Sequence, residues 1–110
     1  MINDTIAKIE ARLRAAESVP DERRRELLEL VGTLRGEISE LSKTDQEHAQ
    51  SIAGFTQVST HEATRAEPNP DLIKASLAGL TGSVAGFEKS HPRLVQIVNS
   101  LSTTLSNLGI

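Results

Sequence analysis

Residues 27–41 read LLELVGTLRGEISEL, and within them Leu27, Val31, Leu34, Ile38 and Leu41 recur at spacings of four, three, four and three. That spacing puts all five side chains on one stripe of an α-helix, the stripe that faces a core. Leu28 and Leu30 flank it and widen it beyond the narrow seam of a two-stranded coiled coil, toward a face that contacts two neighbouring helices. The remaining chain must supply those neighbours, so the stretch predicts a helical bundle and not a simple zipper.

The length of 110 residues fits one domain spanning 1–110. Leu, Ile, Val and Phe together make 29 residues of the 110, well above the level of roughly 20% below which chains stay disordered, and the formal charge is only −3. The chain therefore folds. With two Phe and neither Trp nor Tyr, its core has to be aliphatic, and aliphatic residues at helical spacing indicate an all-α bundle. Absence of Cys removes disulfides, thiolate catalysis and thiolate metal sites, and fits a reducing compartment. Asp4, Lys8, Glu10 and Arg12 interrupt any apolar leader, and no apolar run is long enough to span a bilayer. A cytoplasmic location without membrane contact is expected. A pI near 5.6 and the lack of aromatic stacking platforms argue against nucleic acid as a partner.

Upstream of the central stretch, Ile2, Ile6, Ile9 and Leu13 define a first amphipathic helix over about 4 to 17, with Asn3 or Asp4 as its cap. Ser18-Val19-Pro20-Asp21 reads as a capping box with Pro in the first turn of the second helix, giving an N-terminal αα-hairpin. Arg23, Arg24 and Arg25 are interleaved with Asp21, Glu22, Glu26 and Glu29, the pattern of a solvated helical face. Past Leu41 the same register continues through Asp45, His48, Ile52, Phe55, Ser59 and Glu62, so the aliphatic seam weakens. Thr44-Asp45-Gln46-Glu47 has the form of a new capping box. Either one long helix runs from 21 to about 65 or a break falls near 42–45, and the break is the expectation. Glu67-Pro68-Asn69-Pro70-Asp71 is the clearest boundary in the chain. Four or five helices result.

The two halves differ in character. Residues 1–67 carry 22 of the 27 charged side chains, and the charge-poor part over 70–110 carries the other five. A helix expected over about 70–89 has Ile73, Leu77, Leu80, Val84 and Phe87 on one face and Ala75, Ala78, Gly79, Gly82, Ala85 and Gly86 on the other. Each Gly costs about 0.5–1 kcal/mol relative to Ala in a helix interior, so three within eight residues call for a reason. Close approach of a second helix, from this chain or another copy, supplies one, and Ala75, Gly79, Gly82 and Gly86 are the expected interface. After the turn Ser90-His91-Pro92, Leu94, Val98, Leu101, Leu105 and Leu108 define a last helix stopped by Gly109, with an uncharged polar opposite face.

The segment Glu88-Lys89-Ser90-His91-Pro92-Arg93-Leu94, a Glu-x-x-His-Pro-x-Leu pattern, is followed by a short amphipathic helix closing in Leu108-Gly109-Ile110. These features resemble a family of short bacterial helical proteins known only as a domain of unknown function. The resemblance is most specific over 88–110 and weaker in the N-terminal hairpin, and the segment 44–70 is longer than in compact members. It implies a bacterial, soluble, all-helical protein and carries over no catalytic residue.

Two acid-x-x-His pairs, Asp45/His48 and Glu88/His91, have the spacing that carboxylate-bridged metal bundles use, although such sites need two further Glu residues on other helices. A turn or capping role for His91 and a polar seam role for His48 are the plainer readings. His61, Glu62 and Arg65 form a helical cluster with no nucleophile beside it. No cofactor loop is present, and an enzyme finds no support. The leading expectation is an oligomerisation or protein-interaction module that associates, as a homo-oligomer or with a protein partner, through helices over 70–108. The alternative is a metal-dependent enzyme or sensor built on Asp45, His48, Glu88 and His91.

Overall fold

Apolar residues at helical spacing and well-marked helix ends divide the chain into five helices. The computed structural model describes residues 1–109, with α1 over Ile2–Ala15, α2 over Asp21–Ser42, α3 over Gln46–Ala63, α4 over Pro70–Ser83 and α5 over Pro92–Gly109, and no strand among the described residues. The protein is an all-α bundle. Leu27, Val31, Leu34, Ile38 and Leu41 are at most 1% exposed, so the stripe on α2 is the core face its spacing predicts. Ile6, Ile9 and Leu13 of α1 and Leu94, Val98, Leu101 and Leu105 of α5 bury against it in one continuous cluster.

The chain breaks at 43–45, between α2 and α3, because Asp45 takes over as cap. Its side chain accepts the backbone N–H of His48 at 3.1 Å, satisfying a donor that a continuous helix would have used internally. The Asn69 side chain likewise accepts from Asp71 and Leu72, with Pro70 opening α4 where its missing N–H costs nothing.

The α1–α2 turn is built differently from its sequence reading. Met1 precedes the first turn of α1, which begins at Ile2 and includes Asn3 and Asp4, so neither is its cap. Pro20 is the N-cap residue of α2 and no side chain caps that helix; the Ser18 hydroxyl instead donates to the Thr64 carbonyl. Arg24 organises the turn. Its Nε donates to the Leu13 carbonyl at 2.9 Å and its Nη2 to the carbonyls of Ala16 and Val19, while Nη1 pairs with Asp21. A guanidinium thus satisfies carbonyls at the C-terminal end of α1, where helix polarity also favours a cation. Arg23 and Arg25 lie on the solvated face, but Arg24 does not.

The α3 helix is the hub, packing against α1, α2, α4 and α5. Its buried residues are Ala49, Ile52, Ala53, Thr56, Ser59, Thr60 and Ala63. Four neighbours leave room mostly for small side chains, with Ile52 the one large residue buried on this helix, which is why the aliphatic seam fades after Leu41 although the helix is central. Each hydroxyl buried on this helix or at its C-terminal cap has a partner. Thr56 donates to the Ile52 carbonyl, Thr60 to that of Thr56 and Thr64 to that of Thr60, and Ser59 reaches across to the Ser76 carbonyl at 3.1 Å. With its hydroxyl turned back onto the helix, a Thr presents a methyl to its neighbours and leaves no buried polar atom unpaired.

The α4 helix ends at Ser83 and does not reach 89. The Val84 N–H bonds to the Thr81 and Gly82 carbonyls in place of the regular pattern. Gly86 then adopts φ +96, a left-handed conformation open to glycine and strained for other residues. The Glu88 carboxylate accepts the Gly86 N–H, fixing the turn. Gly86 is therefore a turn residue and not part of a helical face. The α5 helix is described as far as Gly109, the residue expected to stop it, and Ile110, the end of the Leu-Gly-Ile motif, lies outside the described residues.

Candidate interaction surface

The two acid-x-x-His pairs meet around one phenyl ring. Phe87, half-buried in the α4–α5 connection, packs edge-to-face with His48 at a centroid distance of 4.9 Å and with His91 at 5.7 Å. Each polar partner already has work to do locally: Asp45 caps α3 and lies 3.4 Å from His48 Nδ1, Glu88 caps the Gly86 turn, and His91 Nδ1 faces the Ser90 hydroxyl. Among the described residues no group of three His, Cys, Asp or Glu side chains could hold a metal ion. Lys43, hydrogen-bonded to Glu40 at 2.6 Å and adding its charge, holds the Glu40 carboxyl below the usual carboxylate range, with a smaller pull in the same direction from His91.

The His61 cluster is an ion-pair group. Glu62, only 15% exposed at its side chain, pairs with Arg65 at 2.9 Å and approaches His61 at 3.9 Å. An open cleft of about 550 Å³ beside the ends of α1 and α3 is lined by Arg12, Glu17, Ser18 and Thr64 among others. Arg12 is held there by donating Nε to Thr64 Oγ1. The lining contains no paired nucleophile and base.

The four expected interface residues separate. Ala75 and Gly82 are exposed on α4, Gly79 is half-buried beside α3, and Gly86 lies beyond the helix in its turn. Close approach occurs at one of the glycines. A Cβ on Gly79 would stand 2.5 and 2.6 Å from Cε1 and Cδ1 of Phe55, so the ring of α3 lies directly on the α4 backbone there. At Gly82 nothing lies within 4 Å of that position, and the space is open.

Phe55 itself is 41% exposed, and Val58 and Leu72 are 49% and 45% exposed. With Met1 these are the large apolar side chains left in solvent among the described residues. Phe55, Val58 and Glu62 follow one another at helical spacing along α3, and Leu72, Ala75, Gly79 and Gly82 do so along α4. The Phe55–Gly79 contact and the Ser59–Ser76 hydrogen bond set these two rows side by side. Together they form an outward face in which Glu62 is the one charged member. The apolar stripe of α5, in contrast, is used inside the bundle.

Sequence reasoning missed Phe55 and Val58 because it carried the α2 register across the break. Counting afresh from the Asp45 cap, Ala49, Ile52, Ala53, Thr56, Ser59, Thr60 and Ala63 share one face and Phe55 and Val58 fall off it, a signal present in the sequence.

No helix among the described residues is long and apolar enough to cross a membrane. The chain matches no curated protein and no solved structure. The model of a family described as a domain of unknown function (DUF4404) matches residues 27–110, from the first leucine of the α2 stripe through the last helix, and the chain belongs to that family.

Proposed function

We propose that the protein is a small helical interaction module that self-associates, the α3–α4 face of one copy docking on the same face of a second. The observation that carries this reading is the clustering of Phe55, Val58 and Leu72, each more than 40% exposed, on two adjacent helices. Scattered exposed apolar side chains are ordinary, but grouping them on one face beside a charge-free row is a feature of interaction surfaces.

A second copy is the occupant favoured by shape. A two-fold contact presents one patch to itself, so the patch must contain both projections and recesses. This face has projections at Phe55, Val58 and Leu72 and low relief at Ala75 and Gly82. It offers no cluster of charge to select an oppositely charged partner. Glu62, already paired with Arg65, lies at its edge.

Sedimentation of the wild type against a Val58→Glu/Leu72→Glu variant tests the proposal. Both side chains are exposed, so the change leaves the core intact, and helical circular dichroism checks that it does. The expected result is a wild-type dimer whose melting temperature rises with concentration and a folded, monomeric variant. Wild type that stays monomeric at every concentration, or a variant that keeps the wild-type mass, overturns the reading.

A further inference from the structure

We draw no further inference here: the strongest candidate, the His48–Phe87–His91 aromatic cluster where α3 meets the α4–α5 connection, brings together no group of three ligating side chains among the described residues, and nothing in the structure shows what it would bind.

Discussion

Replacing Gly79 by Ala sets two opposing effects against each other at one atom. In a helix interior the change gains up to ~1 kcal/mol of propensity. The new methyl, however, would stand 2.5 Å from Phe55 Cε1, closer than carbon atoms approach, so the ring must move. Phe55 is 41% exposed, leaving about three-fifths of it covered. Full burial of a Phe side chain contributes about 1.5–3 kcal/mol, so a ring swung wholly into water forfeits roughly 1–2 kcal/mol. A ring that stays instead strains the contact, at a typical overpacking cost of about 1–3 kcal/mol. Either route offsets the propensity gain and leaves Gly79→Ala between neutral and ~2 kcal/mol less stable.

The sharper measurement is a double-mutant cycle with Phe55→Ala, read by urea denaturation at concentrations low enough to keep the chains dissociated. Without the ring, the methyl introduced by Gly79→Ala enters free space, and the change should stabilise by up to ~1 kcal/mol. The difference between the two backgrounds, roughly 1–3 kcal/mol, is the coupling between ring and backbone. Gly82→Ala, with nothing within 4 Å, is the control and should stabilise the isolated chain in either background. If Gly79→Ala stabilises equally with and without the ring, the close contact of α3 on α4 is refuted.

Leu34→Ala and Ile38→Ala, each emptying a fully buried aliphatic site, should destabilise by about 2–5 kcal/mol in chemical denaturation, and values within ~0.5 kcal/mol of wild type would mean the α2 stripe is not the core. Arg24→Ala strands carbonyls at the end of α1 and should cost about 2–3 kcal/mol, with Arg24→Lys recovering only part because an ammonium lacks the guanidinium fork. Arg25→Ala, on the solvated face, should stay within about 0.5 kcal/mol, and equal effects at the two arginines would remove the special role of Arg24. Glu40 should titrate below the usual Glu value by NMR, and Lys43→Gln should raise its midpoint. Because folding depresses this carboxyl, its contribution to stability is present above the unfolded value and is lost as pH falls through the folded one. An unmoved midpoint in the Lys43 variant would refute the assignment.

The helices whose cores are aliphatic were legible from spacing alone. Leu27 through Leu41, Ile6 through Leu13 and Leu94 through Leu105 each report burial directly, because a large apolar residue recurring on one stripe has few other uses. The central helix was not legible by that rule. Apart from Ile52, its buried face of Ala, Thr and Ser has the composition of a half-solvated surface, and only the crowding of four neighbours makes those residues core. The glycines of α4 were legible as unusual but not as different from one another: Gly79 makes room for a ring, Gly82 faces open space and Gly86 turns the chain. Those are three separate demands on one residue type, and tertiary contacts distinguish them. The Arg24 role was hidden because charge interleaving describes a helix surface, whereas what an arginine touches depends on which helix end lies in reach.

The family match begins at Leu27, so α1 and residues 21–26 of α2 lie outside it, yet α1 is bound firmly into the bundle. A 14-residue helix is not stable alone in water. It forms because Ile6, Ile9 and Leu13 are covered by α2 and α3, and it is tied by Arg24 to its own C-terminal carbonyls, by Arg35 to Glu10 and by Arg12 to Thr64. It packs on α2 and α3 and, among the described residues, not on α4. The hub helix is thus closed differently on its two sides. On one side lies a charged helix whose large side chains fill the space and whose arginines fasten it. On the other lies α4, whose small residues leave Phe55 resting on bare backbone with part of its ring in water. An apolar ring that its own chain covers incompletely gains from any further surface that covers it, whereas Ile6, Ile9 and Leu13 of α1 are already buried, and the proposed contact between copies is accordingly assigned to the α4 side of the hub.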